Sequence, residues 1–183
     1  EAVAEIDQAE QRFGDSEVAF QRADGSVPTQ TPLSVMRSVA ADNDEFRAAF
    51  EASDTDGNGV PDQNIRELYD ALFAAAPQDA AQVLERQDGE YLSARLVLPA
   101  TQDADFTRIA DAVRESADVV NGAPGVVATA TGQDVIIQVQ IDILTENILQ
   151  TLVIALGVIF LLLSVFYRLK EGSASLGALP VLP

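Results

Sequence analysis

The chain has 183 residues, with 29 Asp and Glu against 11 Lys and Arg, a formal net charge of −18, and neither Cys nor His. The missing residue types exclude disulfide scaffolds, thiol catalysis, His-based metal sites and His-containing triads, and the acidic balance excludes nucleic acid or an anionic lipid surface as a partner. Seventeen Asp, ten Arg and a single Lys resemble the usage of high-salt, haloarchaeal proteins, where self-repulsion is screened within about 3 Å at roughly 1 M salt; an ordinary acidic exported domain is the other reading of the same counts.

In chain order, Val3, Ile6 and Phe13 mark a helix that Gly14 can close. Ser16 to Ala23 alternates as a strand before a turn at Asp24-Gly25. Thr31 with Pro32 predicts a helix start and Asp42 with Glu45 a second. Ile65, Leu68, Tyr69, Leu72 and Phe73 draw the apolar stripe of a third helix, broken at Pro77, and a short helix through Val83 and Leu84 follows. Tyr91 to Leu98 alternates, with Leu92, Ala94, Leu96 and Leu98 on one face and Pro99 as the stop. Asp103 to Val120 has helical spacing, with Phe106, Ile109, Ala110, Val113, Ala117 and Val120 facing inward. Gly125 to Thr131 then reads as a strand, completing a β-α-β unit.

Val135 to Leu144 alternates like a strand, yet neither Gly nor Pro occurs from Asp134 to Leu156, so a helix running into the next segment is the simpler connection. That next segment, Ile148 to Tyr167, is twenty positions without a charge, fourteen of them Leu, Ile, Val or Phe. As a helix it reaches roughly 30 Å, the thickness of a hydrocarbon core; a buried core helix is the alternative. Through Leu144, 27 acids face nine Arg, so the whole charge excess precedes this run. Arg168 and Lys170 follow it and assign that end to the cytoplasm, leaving the acidic part on the extracellular face of the cell membrane. The start at Glu1 without Met reads as an excerpt of a longer polypeptide, and Leu176 to Pro183 as the opening of another membrane segment.

Thr131-Gly132 closing a strand, a mixed helix through Leu144 entering the apolar run, Phe166-Tyr167-Arg168 at its exit and Leu179-Pro180-Val181-Leu182-Pro183 beyond resemble the second membrane segment of resistance-nodulation-division (RND) transporters. The likeness covers about fifty residues and points to the branch of the mycobacterial large membrane proteins, Patched and the hopanoid exporters. It implies an α+β fold: a ferredoxin-like split β-α-β porter domain outside the membrane over residues 1–133, from whose minimal form the helices at about 31–87 depart as an insertion. A connecting helix at 134–147, a membrane helix at 148–167, a cytoplasmic loop at 168–175 and a further membrane segment at 176–183 complete the organisation. The function so implied is ion-gradient-driven transport of hydrophobic or amphipathic, often lipid, cargo. Its partners are membrane lipid, the cargo and the rest of the membrane bundle, with a homo-oligomer left open. The family's energy-coupling acids lie on membrane helices outside these residues, so none carries over.

Asp54, Asp56, Asn58 and Asp62 place oxygen ligands at positions 1, 3, 5 and 9 around Gly59, the layout of a Ca²⁺ loop, with Ile65 where an EF-hand has its bidentate Glu. Ordinary Asx turns and a cap for the next helix are the competing reading. Gly57 and Gly59 lack the Lys-Ser/Thr of a phosphate loop, and Ser34, Ser38 and Ser93 lack a His partner, so no enzyme is expected. The functional alternative to a transporter is a single-pass receptor or adhesion ectodomain that binds a partner, with calcium as a candidate cofactor.

Overall fold

The computed structural model describes residues 2–174, with side chains through Arg168. It divides into two compact units, Glu1–Ile136 and Ile137–Pro183. The first contains α1 (Ala2–Gly14), α2 (Pro32–Asp42), α3 (Asp44–Ser53), α4 (Ile65–Ala75), α5 (Pro77–Val83), the hairpin β1 (Leu84–Gln87) and β2 (Glu90–Ala94), and α6 (Phe106–Val120). α7 spans Gln133–Ala174. Among the described residues the fold is mixed, largely helical, with one two-stranded antiparallel sheet.

Local chemistry sets the helix starts. Thr31 caps α2 by accepting from the Ser34 N–H at 3.1 Å, while the Ser34 hydroxyl accepts from the Thr31 N–H at 2.8 Å, and Pro32 holds the first position. The α3 start lies one residue beyond the expected Asp42: Asn43 is the cap, accepting from the Phe46 N–H at 2.9 Å. Arg47 then donates to the Ala40 and Ala41 carbonyls, which closes the end of α2 and lets two helices abut through one residue. Asn64 precedes α4 in a left-handed conformation without a side-chain cap.

The main core joins α1 (Val3, Ile6, Ala9) to α2 (Leu33, Met36), α3 (Phe46, Phe50), α4 (Leu68, Leu72) and α5 (Ala80, Val83). A smaller cluster of Phe13, Val18 and Ala19 packs against Leu98, Ile109 and Val113. Burying each large side chain contributes about 1.5–3 kcal/mol, so these clusters hold the helices where propensity alone would not.

Three expected strands change. Ser16 to Ala23 forms turns and a single bridge, Ala19 to Ala100, because only the Phe20 N–H and the Val18 carbonyl find ladder partners. β2 ends at Ala94, and its expected inner face is reversed: Leu92 is exposed, and Tyr91 packs inward on Tyr69 with ring centroids 5.2 Å apart. An irregularity between Glu85 and Arg86 shifts the register, and a one-residue slip exchanges the two faces. Gly125 belongs to a turn at φ 76°, and 126–131 pairs with no strand, since the Asn121 side chain takes both the N–H and the C=O of Ala128. The regular β-α-β unit is therefore absent among the described residues. Val135 to Leu144 is helical within α7, which continues through Ala174 over the stretch expected as a loop. Leu176 to Pro183 lies outside the described residues.

Candidate functional site

The Asp-rich loop lies between α3 and α4. Its exit is pinned by Ser53, whose carbonyl accepts from the Asp62 and Gln63 N–H groups, and by Val60 and Pro61, which are buried in the core. The four candidate ligands turn onto the loop itself. Asp54 Oδ1 accepts from the Gly57 and Asn58 N–H groups at 2.9 and 3.2 Å, and Oδ2 from the Gly59 N–H at 2.7 Å. Asp56 bonds the Asn58 N–H and Nδ2, and Asn58 Oδ1 accepts from the Val60 N–H at 2.7 Å. Asp62 accepts from the Thr55 N–H and hydroxyl.

Desolvation, the largest single influence on Asp54, raises its pKa. The N–H bonds from Gly59, Gly57 and Asn58 act against it, and the carboxyl is held below its ordinary value. Among the described residues no group of three or more His, Cys, Asp or Glu side chains is gathered as a metal site. The ligand spacing builds a set of Asx turns in which Asp54, Asp56, Asn58 and Asp62 answer the loop's own N–H groups.

The second feature is a groove of about 440 Å³ beside α6. One wall is the extended chain after β2, with Leu96 and Leu98; the floor is Val113, Ala117 and Val120 of α6; the far wall is the extended segment from Val127. Arg95 is the only charged residue of its lining, in a chain of net charge −18. An adjoining hollow of about 580 Å³ shares Leu98, Val113, Thr131 and Gly132 and continues past Ile109. Size and lining suit an apolar or amphipathic ligand or segment.

In the second unit α7 carries the charge-free run. Gln133–Arg168 is 36 residues long, apolar enough to cross a membrane, and its apolar stretch is exposed along the whole length. At about 1.5 Å per residue it extends about 54 Å, more than a hydrocarbon core of roughly 30 Å requires.

No protein-family model matches this chain, nor does any curated protein or solved structure. Its chemistry therefore rests on its own residues. The residue pattern brought Asp54, Asp56, Asn58 and Asp62 into one loop but left out Arg37, the cation that ties this loop to α1. It also missed β1, although Asp88-Gly89 is a two-residue hairpin signal. Both residues have positive φ, 51° and 80°, as the turn that joins right-twisted strands demands.

Proposed function

We propose that these residues form the outer domain and one membrane strut of an RND-type secondary transporter that moves hydrophobic or lipid-like molecules, driven by an ion gradient. The observation that carries the reading is α7: a helix with a charge-free run of twenty residues, exposed throughout, entered from Thr131-Gly132 and left through Phe166-Tyr167-Arg168. Exposed Leu, Ile and Phe over such a length are stable only against lipid or other membrane helices.

The porter reading of the outer domain is supported by the order of an extended segment, α6 and a second extended segment at 126–131. The groove between them is the surface on which apolar cargo would rest. Arg168 and Lys170 support a cytoplasmic exit, with the acidic domain on the extracellular face.

Two experiments test this. Because the chain contains no Cys, single variants Glu67→Cys and Ser173→Cys report sidedness with a membrane-impermeant maleimide in intact cells. Labelling at residue 67 alone is expected, and the reverse pattern would overturn the topology. For transport, efflux of a fluorescent lipid analogue is compared between cells with and without the complete gene product, and with Ala117→Asp on the groove floor. Loss of efflux in the deletion and the variant is expected. Unchanged efflux in the deletion, or a coding region that continues after residue 183 into a soluble domain, would favour a single-pass receptor instead.

A further inference from the structure

The extended chain from Arg95 to Thr101 has one edge in use and one free. Arg95, Val97 and Thr101 donate their main-chain N–H groups to the carbonyls of Val83, Gln30 and Val18, and the Val97 and Pro99 carbonyls accept from Gln30 and Phe20. In an extended chain the N–H and C=O of one residue share an edge, and those of its neighbours take the opposite one. Leu96, Leu98 and Ala100 therefore present their peptide groups to the other edge, and among the described residues none of the three makes a main-chain bond.

That free edge walls the groove. Across from it Val127, Thr129 and Ala130 likewise make no main-chain bond among the described residues, and Val127 is 89% exposed. Between the two walls lies the apolar floor from α6. An unpaired strand edge beside an apolar surface is a template for strand addition.

We propose that the groove receives an extended segment of a partner protein. The segment bonds the peptide groups of Leu96 and Leu98, is apolar over α6, and carries Lys or Arg at its flanks. Charge decides the occupant. Arg95 is the one charge of the groove lining, but Asp134 lines the adjoining hollow, exposed Asp103 and Asp105 flank its lining residues Gln102 and Ala104, and residues through Leu144 hold the entire negative excess. A cationic segment is attracted, whereas a second copy of this chain brings the same −18 and is repelled. This assignment stands without the transport reading.

The test uses the full chain in nanodiscs of zwitterionic lipid, titrated with a labelled short peptide of alternating Val and Thr with Lys at each end. Saturable binding is expected. N-methylation of alternate peptide residues, or Leu96→Pro in the protein, should weaken it about tenfold, because each removes main-chain bonds at the new edge only. Leu96→Val should bind as the parent does, and a Glu-ended peptide should bind more weakly. Absence of binding by the Lys-ended peptide would overturn the proposal. So would equal binding of its N-methylated form, or self-association of the chain that excludes the peptide, which would assign the edge to a second copy.

Discussion

The Arg37 guanidinium donates to the Gly59 carbonyl through Nε at 3.3 Å and Nη2 at 3.1 Å, so a side chain of α2 clamps the Asp-rich loop where Gly59 turns at φ +79°. The same group pairs with Asp7 at 2.9 Å and Glu10 at 3.8 Å, whose side chains are 15% and 10% exposed. Three elements thus meet on one cation. Removing it in Arg37→Leu leaves Asp7 and Glu10 without their cation, although Gln11 still donates to Asp7 and the Thr29 and Thr31 hydroxyls to Glu10, a cost of about 1–3 kcal/mol. Because the Arg37 side chain is 42% exposed, screening places the effect in the lower part of that range. A thermal melt of the chain in micelles should show a lower midpoint for Arg37→Leu, with Arg37→Lys between it and the parent. Equal midpoints for the Leu variant and the parent would remove the clamp.

Asp54 supplies a pH signature in the same loop. Its folded pKa is depressed below the ordinary 3.8, so its contribution is fully present above that value and is lost as the pH falls through the lower folded value. Asp54→Ala should lower the melting midpoint at neutral pH and flatten its decline on acidification. The closed turn network further predicts the same midpoint with calcium as with a chelator at constant ionic strength. A rise with calcium would show that the four oxygens reorganise around the ion.

At the alkaline end the hairpin is the sensor. Burial pushes Tyr69 up from 10.0 to about 12. Tyr91 also goes to about 12, through burial first and then through the hydrogen bond its hydroxyl gives Asp70 at 2.8 Å. Raised folded values mean that this stabilisation is complete below pH 10.0 and is lost as the pH climbs toward about 12. Tyrosinate absorbance should therefore rise late for both residues and together with loss of the hairpin. Tyr91→Phe should remove one late transition. Its stability cost should be small, about 0.5–1 kcal/mol, because Arg86 still pairs with Asp70 at 3.1 Å and lies over the Phe73 and Tyr91 rings.

How much of this was legible in the residues follows from how local each cause is. The Thr31-Pro32 start, the α4 stripe and the breaker-free approach to α7 are written in neighbouring residues and appear as read. Strands depend on partners far along the chain. Ser16 to Ala23 alternates and Gly125 to Thr131 follows a Gly/Pro break as a short strand would, yet the first meets only a bridge to Ala100 and the second spends Ala128 on the Asn121 side chain. The inward turn of Tyr91 was hidden because the irregularity at Glu85 and Arg86 reverses the faces. In the loop, spacing identified the oxygens but not their direction, which the backbone amides of Gly57, Asn58 and Gly59 decide. The groove was not legible at all, since its walls are defined by bonds that Leu96, Leu98 and Val127 do not make.

α7 offers the most direct test of the membrane assignment. Leu156 lies near the middle of the charge-free run and is 57% exposed, whereas Leu144, 58% exposed, precedes that run. An Arg at the centre of a spanning helix costs about 2.5–3.5 kcal/mol on insertion scales, and the cost falls toward the interface, where the side chain can snorkel. Leu156→Arg should therefore reduce the fraction of cell-free product that resists alkaline extraction from microsomes, while Leu144→Arg should leave it nearly unchanged. The contrast separates lipid from protein as the surroundings of α7. Burial among protein side chains would penalise an Arg by local packing at either position, whereas a bilayer penalises it by depth. If Leu156→Arg integrates as fully as the parent, the charge-free run does not cross the hydrocarbon core.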